Sequence, residues 1–154
     1  MADYYADSSV LVKRHVNETG SNWFRALADS ASGNVIITAR VSIIEVYSAF
    51  NRRRREANIN FQDYAQLAAD FASTWAVEYQ LVELTTRVTD RARELLERHP
   101  LRAYDAIQLA SVQVAGEALA GAGLLAPIFL AADDHLLDAA RAEGMVVDNP
   151  NLHP

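Results

Sequence analysis

Asp3-Tyr4-Tyr5-Ala6-Asp7-Ser8-Ser9-Val10-Leu11-Val12-Lys13 decides how this chain is read. Residues 3–6 read as a short strand, and residues 8–16 as a helix. The change from one to the other falls on an acid, Asp7, of the kind that caps helix N-termini.

Outward from this point, the same unit repeats in kind. Residues 20–32 read as a second helix. Residues 34–38, β-branched and bounded by Gly33, read as a buried strand. A long helix over 41–57 carries Ile43, Tyr47 and Phe50 as its apolar stripe. After a break at 58–60, residues 61–75 form a helix with Phe61, Tyr64, Ala68, Phe71 and Trp75 on one face, a stripe better suited to core than to interface. Residues 81–84 read as a strand, and 85–98 as a helix stopped by His99-Pro100. An apolar helix over 103–120 ends at Gly121 and Gly123. A strand over 127–131, a helix over 133–143 closed by Gly144, and a last strand over 145–147 complete the pattern. Strand–helix alternation with short linkers predicts an α/β fold, a three-layer α/β/α sandwich around a central, mostly parallel sheet. One domain over 1–148 and a polar tail over 149–154 are expected.

Composition sets limits. A chain of 154 residues, 51% hydrophobic and 22% charged, fits one globular domain. With no cysteine there are no disulfides, thiolate metal sites or cysteine nucleophiles. No apolar run suits a signal peptide or a membrane span, so a cytoplasmic protein is expected. The net charge of −6 opposes a nucleic-acid partner, which usually demands a basic surface. An acidic metal site offsets that objection, because bound cations cancel its charge. So does the local run Arg52-Arg53-Arg54-Arg55. Arg52, two turns beyond Glu45, lies on a similar face and is a candidate for RNA phosphate. The plainer reading of the run is a solvated helix end that complements the helix dipole.

In such a fold, functional groups gather beyond the carboxyl ends of the strands. Asp7 follows the first strand, and Asp133 follows the strand ending at Ala131. Asp105 opens the most apolar helix. Glu45 is the only charge between Val41 and Phe50. Singly, the three aspartates read as caps and Glu45 as a solvated helix position. Together, four carboxylates converging on one cleft repel one another unless cations compensate. All-oxygen donors without histidine or cysteine select Mg2+, with Mn2+ as the alternative. Such ions support in-line displacement at phosphorus, so phosphodiester hydrolysis is the chemistry suggested. The acids do not distinguish RNA from DNA.

Three stretches resemble a known family. Tyr5-Ala6-Asp7-Ser8-Ser9-Val10-Leu11-Val12-Lys13 is similar to the opening motif of PIN-domain proteins, in particular the VapC-type toxins. Arg102-Ala103-Tyr104-Asp105-Ala106-Ile107-Gln108-Leu109-Ala110-Ser111 is similar to their third-acid motif. Leu130-Ala131-Ala132-Asp133-Asp134-His135-Leu136-Leu137, with Ala140 and Glu143-Gly144, is similar to their fourth. Ile44-Glu45-Val46 sits where the family has its second acid. The resemblance covers nearly the whole chain. It implies a metal-dependent endoribonuclease, usually the toxin of a type II toxin–antitoxin pair, with RNA as substrate, a cognate antitoxin as partner and often a homodimeric state. It implies that Asp7, Glu45 and Asp105 hold Mg2+ and that Asp133 completes the site. Ser9 matches a hydroxyl that supports the first acid; a first-turn helix hydroxyl is the plainer alternative. Two features depart from the pattern or compete with it. Ala131 stands where the family often has Thr or Ser, and Asp134 competes with Asp133. Arg102 is a candidate for substrate contact or for pairing with an acid. The four histidines show no ligand spacing. The competing reading is a catalytically silent PIN-like module that binds RNA or protein. A receiver domain or a haloacid-dehalogenase-type phosphatase is set aside: the only lysine is Lys13, and Ser9 stands where the phosphatase needs its second Asp.

Overall fold

Side chains alternate across each strand, and that alternation separates two cores. In a computed structural model describing residues 1–154, five strands form one parallel sheet in the order β3-β2-β1-β4-β5. They are β1 (Asp3–Ala6), β2 (Val35–Ala39), β3 (Tyr79–Val82), β4 (Ile128–Leu130) and β5 (Val147–Asp148). Tyr5, Ile37 and Phe129 point to one face, where they pack with α5 (Thr86–Arg98), α6 (Ala103–Gly121) and α7 (Asp134–Ala142). Ala6, Ile36 and Leu130 point to the other. There they meet α1 (Ser8–His15), α2 (Ser21–Leu27), α3 (Arg40–Arg55) and α4 (Phe61–Glu78). Residues adjacent in a strand thus enter opposite cores, as the period of two requires. This is the expected three-layer sandwich, with a sheet that is parallel throughout.

Most element boundaries differ from the sequence reading by a few residues, and for three the cause is visible. The second helix stops at Leu27, because Asp29 accepts a bond from the Ala31 N–H and starts a separate 3-10 turn over Ser30–Ser32. The third strand is Tyr79–Val82 rather than 81–84. Its register is set by β2, which pairs Ile36 with Tyr79 and Ala39 with Val82. The last strand is Val147–Asp148, fixed by pairing with Phe129 and Leu130. The aromatic stripe of α4 divides. Phe71 is fully buried, whereas Phe61, on the first turn, is 67% exposed and lies beneath the Arg54 guanidinium. Beyond β5, Pro150–Leu152 forms a 3-10 turn against α2, and the His153 ring stacks on Trp23 at 4.2 Å. No helix is long and apolar enough to cross a membrane.

Candidate active site

Strand order creates the cleft. From β1 the chain proceeds to β2 on one side, while β4 lies on the other, so the loops leaving β1 and β4 diverge at their carboxyl ends. Asp7 leaves β1 there, and its N–H is held by the Leu130 carbonyl of β4 at 3.1 Å. As N-cap of α1, its Oδ1 accepts bonds from Val10 N–H (3.2 Å) and the Ser9 hydroxyl (2.6 Å). Ser9 Oγ in turn accepts a bond from the Ala132 N–H at 3.1 Å. The hydroxyl missing at Ala131 has a counterpart here. Ser9, on α1, is the side-chain oxygen that ties the β4–α7 loop to Asp7.

The other acids come from three more segments. Asp133 is the N-cap of α7 and accepts from His135 N–H. Glu45 stands on the second turn of α3, and Asp105 on the first turn of α6. Glu45, Asp105 and Asp133 line one cleft of about 670 Å³, together with Arg102, Tyr104 and His135. Asp7 is not among the lining residues; it is buried to 6% exposure, close enough to Asp105 to feel its charge. Burial is graded: Glu45 and Asp105 are half-buried, and Asp133 is exposed. Asp134, the competing acid, is turned elsewhere and accepts a bond from Asn149 Nδ2 at 2.8 Å.

The electrostatics follow from this gradient. Burial pushes the Asp7 carboxyl up to about 7, with the nearby Asp105 charge adding to the rise and the Ser9 and Val10 bonds opposing it. Asp105 is also raised, first by burial and then by Asp133, with Arg102 and His135 opposing. Tyr104 is raised by burial and by the charges of Glu45 and Asp7. The four acids therefore feel one another, directly or across Tyr104, while Arg102 is the only guanidinium among the cleft's lining residues. No three of them close on a single point within ligating distance. The donor set nevertheless fits a hard divalent cation. It is all oxygen, it is short of positive charge, and its deepest carboxyl lies in surroundings that disfavour ionisation.

One element of the site was not legible in the motifs. Gln108 is buried beneath the cleft and joins three elements: Oε1 accepts from the Tyr5 hydroxyl (2.6 Å), and Nε2 donates to Ser42 Oγ (2.8 Å) and to the Tyr104 hydroxyl (3.0 Å). It thereby fixes α6, which bears Asp105, against α3, which bears Glu45. A glutamine inside an apolar helical run was the available signal. The arginine run is also redistributed. Arg53, not Arg52, is turned towards the α1 side, where it pairs with Glu18 at 2.9 Å.

The chain resembles known proteins along nearly its whole length. The family model described as "PIN domain" matches residues 4–141. Two curated proteins of Mycobacterium tuberculosis, Ribonuclease VapC45 and Ribonuclease VapC49, are each 31% identical over 150 residues, covering 97% of both chains. Among solved structures, the FitAB complex bound to a DNA fragment superposes with a TM-score of 0.68 at 10% identity, covering 96% of this chain and 94% of that one. The sarcin–ricin-loop-cleaving toxin VapC20 of M. tuberculosis gives 0.60 at 18% identity, covering 93% and 96%.

Proposed function

The chain belongs to the PIN-domain family, and on that footing we propose that it is a metal-dependent endoribonuclease, the toxin of a type II toxin–antitoxin pair. The observation that carries this reading is one cleft lined by three carboxylates, Glu45, Asp105 and Asp133, with the buried Asp7 electrostatically coupled to Asp105. The relatives named as VapC ribonucleases, matched along nearly their whole length, support the substrate class. The VapBC2 structure from Rickettsia felis supports a cognate antitoxin as partner, because its fold is shared across 96% of this chain. A homodimer acting in the cytoplasm is part of the same proposal.

In this reading, Asp7, Glu45, Asp105 and Asp133 hold Mg2+, with Mn2+ as the substitute. When bound, the ion neutralises the acids and the charge that builds on the phosphoryl oxygens during in-line displacement. Ser9 orients Asp7 through its 2.6 Å bond and leaves the second carboxylate oxygen available. Arg102, at the mouth of the cleft, is suited to take a phosphate oxygen of the substrate. Gln108, through its bond to Ser42, holds α6 against α3, so that Glu45 and Asp105 line the same cleft.

The test is cleavage of labelled RNA with Mg2+ and with a chelator. Cutting is expected only with the ion, and Asp7→Asn is expected to lower the rate at least 100-fold. If Asp7→Asn cuts as well as the parent, the metal-site mechanism is wrong. If the parent binds RNA but never cuts it, the silent-module reading takes its place.

A further inference from the structure

Beside the acid cleft runs a second groove, of about 630 Å³, that the function above leaves unused. Its walls are successive turns of the helices that carry the acids. On α1, Ser9 and Lys13 are one turn apart. On α3, Ala49 and Arg53 continue the row that begins at Glu45, in steps of four residues. At 1.5 Å per residue, Glu45 and Arg53 are about 12 Å apart along the axis. Ala132 closes the near end, between the Ser9 hydroxyl that it bonds and Asp133. A row on α3 therefore leads from the acid cleft to a pair of cations.

The cations are held by one carboxylate. Lys13 Nζ donates to Glu18 Oε1 (3.0 Å) and to the Thr19 carbonyl (2.8 Å), and Arg53 donates to Glu18 Oε2 (2.9 Å). Two positive charges face one negative charge, although the molecule carries −6 overall. Their donor capacity exceeds what Glu18 uses. The ammonium has three N–H groups and two acceptors here. The guanidinium has five, of which one is bonded to Glu18. The Lys13 side chain is only 5% exposed, an unusual position for the chain's single lysine, whereas Glu18 is about one-third exposed and can swing into solvent.

We propose that this groove is a backbone-phosphate track for the RNA strand flanking the scissile bond, with Arg53 and Lys13 as its cations and Glu18 as the carboxylate a phosphate displaces. The proposal rests on the ribonuclease reading. A strand entering the acid cleft meets mutual repulsion there and needs a cationic hold outside it. The track supplies one in the adjoining groove, where two cations share one carboxylate. Arginine at its rim suits bidentate phosphate contact. Exchange of Glu18 for a phosphate leaves neither cation uncompensated.

The test uses a short fluorescein-labelled single-stranded RNA, free of metal, on full-length protein carrying Asp7→Asn so that nothing is cut. Added to that background, Glu18→Gln is expected to tighten binding 3- to 10-fold, because it frees both cations and keeps an acceptor for Lys13. Arg53→Gln is expected to weaken binding 3- to 10-fold and to lower the slope of log K against log salt by about 0.7, the value of one phosphate contact on a single strand. Arg53→Lys is expected to recover part of the affinity. Binding within twofold of the background by both Glu18→Gln and Arg53→Gln overturns the track. Cleavage by the parent in Mg2+ is scored in parallel. If the parent cuts RNA while these variants bind alike, the track alone fails. If the parent cuts nothing but the variants shift binding as stated, the track stands and the nuclease reading fails.

Discussion

At Asp7 two demands conflict. Capping α1 at the positive end of its dipole favours a carboxylate, but burial, aided by the nearby Asp105 charge, favours the neutral form and holds the group up to about 7. The folded value exceeds the free value of 3.8, so the penalty is absent below about pH 4 and grows as pH rises through 7. In metal-free protein at pH 8, Asp7→Asn is therefore expected to raise stability, by up to about 4 kcal/mol for a shift of this size. Urea unfolding at pH 8 and pH 4 checks this, since the gain must vanish at the lower pH. His15 shows the opposite sign. Its ring packs edge-on against Phe50 and Phe71, its Nε2 is buried without a partner, and burial, aided by the Arg14 charge, lowers it to about 4. A depressed histidine contributes stability above its free value of 6.5 that is lost as pH falls towards 4. His15→Leu is expected to flatten that acid limb, read as thermal midpoint against pH between 7 and 4.

One amide, that of Gln108, ties α6 to α3. Gln108 satisfies Tyr5, Ser42 and Tyr104 together, inside a core where an unpaired hydroxyl is costly. Gln108→Leu is expected to destabilise the chain by about 2–4 kcal/mol, because polar partners remain buried. Adding Tyr5→Phe should recover part of that loss, since removing both ends of a buried bond costs less than removing one. A double-mutant cycle by urea unfolding measures it; strict additivity would contradict the network. Gln108 stood within the third acidic motif, but its partners lie 66 and 103 positions away, so spacing alone did not reveal them.

The whole molecule closes through its last residues. Gly20 caps α2 with φ +82, and a Cβ there would lie 2.3 Å from the Pro150 carbonyl oxygen. Both the left-handed backbone and the close approach require glycine. Gly20→Ala is expected to cost about 2–4 kcal/mol and to expose the C-terminal turn to proteolysis, the sum of backbone strain and lost packing. Gly121→Ala, which meets nothing within 4 Å, is the control and should be close to neutral. Residues 149–154, read in sequence as a polar tail, are thus packed against α2, with His153 bonded to Asp148 and stacked on Trp23.

The sequence by itself determined the layer architecture, the order of the elements and the places where acids meet strand ends, because each is written in local periodicity and in caps such as Asp7 and Asp133. The family resemblance singled out the four acids in order. Only the tertiary structure decided the strand order, the register that moved β3 to Tyr79–Val82, and where the two neighbouring acids lie, Asp133 lining the cleft and Asp134 bonded to Asn149. It also brought Lys13 and Arg53 onto one glutamate. Periodicity constrains which face a side chain takes. Partners dozens of residues apart are selected by packing, where burial and unpaired charge set the cost of every alternative.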